Sequence, residues 1–265
     1  MSDQDKRLLE DDLESDPEVN RGIDDTEQTF VSHLIEIRSR LLKIVVAVLS
    51  IFLVLFYFAA ELYGWLAQPL LRYLPENASM IATQVASPFL APFKLSMVMA
   101  IFIAIPYILY QVWAFVAPGL YENEQKLTLP LLVSSTLLFY FGLAFAYYVI
   151  FPLVFQFFTS ITLEGVTPMT DISDYLDFVL KMFMAFGIAF EVPIAIILLT
   201  KMGAVTVEGL AEKRAYVIVG SFVIGMLITP PDVISQILLA VPVWLLFELG
   251  LLISTLIEKK KRFDH

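Results

Sequence analysis

The sequence predicts an all-α polytopic membrane protein. It has six transmembrane helices with both termini cytoplasmic, a short fifth helix and structured periplasmic cap loops. Three observations carry this. Of 265 residues, 58% are hydrophobic and 17% charged, against about 45–50% and about 25% in soluble domains. Six apolar runs follow one another, most of them near the ~20 residues that cross a ~30 Å hydrocarbon core. Lys and Arg crowd alternate short flanks, which sets the orientation.

The elements follow in chain order. Of the formal net charge of −10, residues 1–27 hold −8, from 11 acids against three bases, and the remainder sums to −2. Low hydrophobicity and high charge leave too little apolar surface to offset ordering, so residues 1–29 read as a disordered acidic cytoplasmic tail. No basic start leads into a short apolar core, so the tail does not read as a signal peptide. Residues 30–257 form the six-helix transmembrane domain, and 258–265 a basic cytoplasmic tail. Phe30, Leu34, Ile37, Leu41 and Ile44 make one apolar stripe at helical spacing, with His33, Glu36, Arg40 and Lys43 beside it.

The first span is Leu41–Ala60. The following segment, Glu61–Pro92, is too apolar for free coil. It predicts an interfacial helix around Leu62–Tyr73, with Tyr63 and Trp65 at headgroup depth. Spans two to four are Leu95–Ala117, Leu127–Phe151 and Met182–Thr200. Between the last two, Ile161–Asp177 is a second cap, in which Thr170–Asp174 supplies helix-capping residues. The fifth run, Ala215–Ile228, has only 14 residues, roughly 21 Å of helix, and calls for local bilayer thinning. Pro230, Pro231 and Asp232 form a tight outer hairpin: proline ends the fifth helix and Asp232 caps the sixth, Val233–Ile257.

With the N-terminus inside, the inner flanks carry eleven basic residues: Arg38, Arg40, Lys43, Lys126, Lys201, Lys213, Arg214, Lys259, Lys260, Lys261 and Arg262. The outer flanks carry three: Arg72, Lys94 and Lys181.

Composition also excludes functions. There is no cysteine, and the two histidines, His33 and His265, lie at opposite ends. Disulfides, thiol catalysis, a paired-histidine metal site and a Ser–His dyad are therefore not expected. The chain has no Gly-Lys dipeptide, so the phosphate-cradling loop of ATP hydrolysis is missing. No basic face marks a nucleic-acid binder. The reading is a non-enzyme without cofactor or metal.

Three places break local rules. Glu191 is the one charge in Met182–Thr200, at its middle. An intramembrane carboxylate is functional by default, although a protonated, hydrogen-bonded glutamic acid could simply join helices. Pro193, two residues on, removes a backbone donor and bends or opens the helix. The cytoplasmic loop Pro118–Lys126 carries Glu122 and Glu124 against one lysine, and on its own reads as a solvated turn. Glu36, on its own, pairs with Arg40 one turn on, worth about 0.2–0.5 kcal/mol.

Several motifs stand in order along the chain: His33–Leu42 (HLIEIRSRLL), Val85–Phe89 (VASPF), Tyr110–Tyr121 (YQVWAFVAPGLY), Phe190–Pro193 (FEVP), and Thr229–Asp232 (TPPD) with Ser235–Gln236. Together they resemble the TatC family, the receptor subunit of the twin-arginine protein translocase. The resemblance runs from about Phe30 to the C-terminus; the length of the acidic tail departs from the family pattern. It implies a multi-pass protein of the bacterial inner membrane that binds twin-arginine signal peptides and helps to export folded proteins on the proton-motive force. It implies Glu36 and Glu124 as the carboxylates that receive the arginines, with Arg38 beside them, against both local readings above. Glu122 stays a surface charge. It also implies Glu191, with Gln236 and Thr229, as the intramembrane contact for TatA-like and TatB-like single-span partners. The remaining implied associations are the lipid bilayer and a homo-oligomer in the receptor complex, with no nucleic acid. The rival reading is a secondary transporter with Glu191 as its proton or ion site, but no internal repeat supports it. An intramembrane protease lacks its paired aspartates or dyad.

Overall fold

A computed structural model of the chain describes residues 17–73, 80–116, 128–160, 170–228 and 233–263. The chain divides into two compact units, Met1–Ala47 and Val48–His265. Five stretches are long and apolar enough to cross a membrane: Leu34–Phe56, Ser87–Val116, Leu129–Phe158, Ile172–Lys201 and Gln236–Lys259. The shorter apolar helix Arg214–Ile228 stands between the last two. These are the six predicted helices, and the fifth is the short one.

Helix α1 is Pro17–Phe56. It starts inside the acidic segment read as disordered, so residues 17–29 are helical; residues 1–16 lie outside the described residues. The reason is local. Extending a helix already nucleated by an apolar span adds one hydrogen bond per residue and needs no burial, and proline is well placed at a first helical position. Helix α2, Ala59–Tyr73, is the predicted interfacial helix.

Helix α3 is Ser87–Val116, with Pro92 and Pro106 inside it. Pro106 has no N–H for the Phe102 carbonyl, and the Tyr140 hydroxyl donates to that carbonyl instead, at 3.0 Å. Tyr140 sits on α4, Thr128–Phe145, which passes through a five-residue π turn, Ala146–Ile150, into α5, Phe151–Ser160. The π turn has an identifiable cause. Pro152 offers no N–H to the Tyr148 carbonyl, and the Phe151 N–H reaches back five residues to Ala146, so one residue is looped out of the ladder.

The fourth span is two helices, α6 (Ile172–Ala189) and α7 (Val192–Lys201), with a break at Phe190 and Glu191. Pro193 withholds the donor the Ala189 carbonyl would use, as the sequence predicts. Helix α7 ends on Gly203, the one described residue in the left-handed region, at φ 70°. Its N–H bonds Thr200 O and the Ala204 N–H bonds Leu199 O, both at 3.1 Å, which satisfies carbonyls the helix leaves open. Helices α8 (Val207–Glu212), α9 (Arg214–Ile228) and α10 (Val233–Phe263) complete the chain.

The core lies where α3, α4, α5 and α6 meet, around Leu95, Phe102, Phe139, Phe151, Leu176 and Phe186. Its rings meet edge to face, Phe102 with Phe139 at 6.0 Å and Phe151 with Phe183 at 5.1 Å, the favoured aromatic arrangement. Two glycines let α4 and α6 close. A Cβ on Gly142 would stand 2.6 Å from the Phe186 carbonyl oxygen, and one on Gly187 2.6 Å from the Phe139 ring. Outward-facing side chains are apolar, as lipid contact requires: Leu53, Phe141, Val219 and Leu227 are exposed.

The two segments Met80–Gln84 and Thr170–Asp174 are tied together through Asp171, which of the expected capping stretch Thr170–Asp174 is the residue that caps the helix. Asp171 Oδ1 accepts from the backbone of Ser173 and Asp174, at 2.7 and 3.3 Å. Asp171 Oδ2 accepts from the Thr83 hydroxyl at 2.6 Å and its amide at 2.8 Å. Ile81 pairs with Asp171 in a parallel bridge. Tyr63 and Tyr175 hydroxyls reach Ile172 O and Leu66 O, at 3.2 and 2.9 Å, and bind α2 to the same corner. The hydroxyl and amide of Thr83, aided by the two helix N–H groups, hold the Asp171 carboxyl at about 2. Burial, with the Asp171 charge adding to it, pushes the Tyr63 phenol up.

Candidate functional site

Glu36 lies on α1 and is half-exposed. Arg40 grips its Oε1 with both Nε and Nη2, at 2.9 and 2.6 Å. Arg38 is exposed, two residues along, which turns it away from the Glu36–Arg40 face by helical geometry. Glu124 and the rest of the loop Pro118–Lys126 lie outside the described residues. So do Thr229, Pro230, Pro231 and Asp232.

Glu191 closes the seam between α4 and α6. The two glycine contacts, Gly142 with Phe186 and Gly187 with Phe139, fix an antiparallel register. One turn further along it, Ser135 meets the break at Glu191. The buried Ser135 hydroxyl donates to Glu191 Oε2. The other oxygen, Oε1, is buried and has no partner among the described residues. The sequence reading missed Ser135, although the run Ser134-Ser135-Thr136 is a polar interruption of the third span. Ser134 and Thr136 donate to carbonyls of their own helix, Leu131 O and Leu132 O, both at 3.0 Å. Ser135 alone is turned to the neighbouring helix.

Gln236 is not beside Glu191. A Cβ on Gly250 would meet Pro193 Cα at 2.9 Å, and further on Thr200 Oγ1 is 3.5 Å from Ser254 Oγ. Helices α7 and α10 therefore run parallel, as two alternate crossings of a membrane must, with Pro193 level with Gly250. Gln236 precedes Gly250 by 14 residues, roughly 21 Å of helix. Its backbone packs instead against Gly225 of α9, where an added Cβ would sit at 3.6 Å.

The other acid within an apolar span, Glu248, is differently placed. Arg214 binds it side-on, Nε to Oε1 at 2.7 Å and Nη2 to Oε2 at 3.0 Å. Both oxygens of Glu248 are thus met by a charge, the bidentate geometry that makes such pairs strong. Glu191 has a single hydroxyl. A polar atom buried without a partner in a membrane span costs stability, and among the described residues Glu191 Oε1 shares that state with Trp244 Nε1.

The family model for TatC, described as Sec-independent protein translocase protein, matches residues 32–242. The chain belongs to the TatC family. The TatC of Azotobacter chroococcum mcd 1 is 58% identical over 237 residues, 89% of this chain and 93% of that protein. The TatC of Escherichia coli K12 is 54% identical over 241 residues, 91% and 93% of the two. A crystal structure of the twin-arginine translocase receptor TatC covers 84% of this chain and 98% of its own, at 41% identity and TM-score 0.77. The family is a protein-translocase component, and the transporter reading of Glu191 falls with that assignment. The TatC match takes in Glu36, Arg38, Glu124, Glu191, Thr229 and Gln236, and it leaves out the whole acidic N-terminal segment.

Proposed function

We propose that this TatC-family chain is the receptor and core subunit of a twin-arginine translocase. It lies in the bacterial inner membrane with both ends in the cytoplasm. Glu36 and Glu124 receive the two arginines of a signal peptide at the cytoplasmic face, with Arg38 at the edge of the site. A guanidinium presents a planar fork that matches a carboxylate with two parallel hydrogen bonds. Glu36 already holds one guanidinium, that of Arg40, two of whose nitrogens share its Oε1. An exposed i,i+4 pair contributes only about 0.3–0.5 kcal/mol, so an incoming arginine exchanges with Arg40 at small cost. Two receiving carboxylates in partly desolvated surroundings discriminate arginine from lysine, which has no fork.

The second half of the proposal concerns assembly. Glu191 recruits a TatA-like or TatB-like single-span helix. The observation that supports this most is the contrast with Glu248: one acid is fully paired, while the other keeps a buried Oε1 without a partner. An interhelical hydrogen bond in a membrane contributes about 0.6–1.7 kcal/mol, enough to bias which face a partner helix chooses. Gln236, some turns toward the outer end, and Thr229 offer the same partner further contacts. Assembly of several receptor copies with these partners then exports folded cargo on the proton-motive force.

Site-specific crosslinking tests both halves. A photoreactive residue beside Glu124 should capture a twin-arginine precursor, and one beside Glu191 a single-span partner. One indistinguishable pattern from both positions would overturn the two-site reading.

A further inference from the structure

Two of the three basic residues on the outer flanks, Lys94 and Lys181, share one place. They stand with Asp177 at the mouth of a groove of about 650 Å3 formed by α3, α6, α7, α9 and α10. The Lys94 ammonium donates to the Asp177 carboxylate. Lys181, one turn on from Asp177, is exposed and has no ion-pair partner among the described residues. The mouth therefore sums to +1. Below it the walls are apolar, with Val98, Met184, Ile188, Ile224 and Leu239 among them. The one wall hydroxyl, Ser221, is spent on Val217 O at 2.8 Å.

The dimensions match one leaflet. From Lys181 to Val192, the far wall residue on the fourth span, is eleven residues, about 16 Å of helix, against ~15 Å for half a hydrocarbon core. We propose that the groove holds an acyl chain of an anionic phospholipid whose phosphate is gripped by Lys181 and Lys94. Long lysine stems let the ammonium groups rise to the headgroup while their methylenes stay on apolar wall. The single excess positive charge selects a net-negative headgroup over a zwitterionic one. The topology proposed above decides only which leaflet supplies the lipid.

The test uses the full chain in vesicles of symmetric composition, containing phosphatidylglycerol or phosphatidylcholine with a photoreactive acyl chain at equal mole fraction. Labelled peptides are mapped by mass spectrometry. Phosphatidylglycerol should label the segments around Met184, Ile188 and Ile224 about fivefold more than phosphatidylcholine, the gain expected for one lysine at an anionic surface. Lys181→Gln, which touches no described contact, should abolish the preference, whereas Lys201→Gln should keep it. Equal labelling by both lipids, or a preference that survives Lys181→Gln, would overturn the proposal. So would groove residues shielded from both lipids by a co-purifying helix or a second copy. Peptide binding is read separately and depends on neither result.

Discussion

The Ser135–Glu191 hydrogen bond makes the sharpest quantitative prediction. Ser135→Ala removes the one donor to the Glu191 carboxyl among the described residues, and leaves a buried carboxyl with both oxygens unmet. The desolvation cost of such a group is about 1–3 kcal/mol. Glu191→Ala removes the acceptor and opens a small cavity beside the helix break. Because the hydroxyl and the carboxyl are partners, the two losses do not add. Once either partner is gone, losing the other costs less, by an interaction energy of about 0.6–1.7 kcal/mol. Equilibrium unfolding of the full-length protein in mixed micelles, on wild type, both single variants and the double, measures that energy. Additivity within about 0.3–0.5 kcal/mol would refute the contact.

Other consequences lie elsewhere in the fold. Tyr140→Phe should leave the Phe102 carbonyl, freed by Pro106, without its hydroxyl donor and cost about 1–3 kcal/mol in the same unfolding assay. Gly142→Ala should cost about 1–3 kcal/mol by overpacking, because its Cβ would meet the Phe186 carbonyl at 2.6 Å. Crosslinking between Ser135 and Glu191 positions should weaken with it. Asp171 has a carboxyl pKa lowered to about 2, below the ~3.9 of an unfolded aspartate. Its contribution is therefore full above about pH 4 and disappears as pH falls toward 2. Hydrogen exchange at Thr83 and Ser173 should stay slow down to about pH 4, and Thr83→Val should move the loss to higher pH.

What could be read from the residues alone divides by range. Apolar runs placed all six helices, since length and burial in lipid are local properties of each segment. Residues 17–29 escaped that logic: the criterion asked whether they could be buried, while helix extension from a formed span requires no burial. The Asp171 cap was legible within its own turn, but its bond to Thr83 joins residues 88 positions apart. Glu191 stood out because a charge in an apolar run is anomalous. Its partner did not, because three consecutive hydroxyl residues look alike until Gly142 and Gly187 set which one faces the neighbour. Gln236 was chosen for its polarity, and only the parallel register of α7 and α10 shows how far up the helix it lies. Lys94 and Lys181 counted as exceptions to charge asymmetry; the fold brings them to one groove.

The central claim is that two carboxylates read two arginines. Titrating the full-length protein in nanodiscs with a twin-arginine peptide and its twin-lysine counterpart tests it most directly, in wild type and in Glu36→Gln/Glu124→Gln. A charge-assisted hydrogen bond contributes about 1.5–3 kcal/mol, so wild type should prefer arginine by about tenfold or more. The double variant should bind both peptides alike. An undiminished preference for arginine in the double variant would contradict the account.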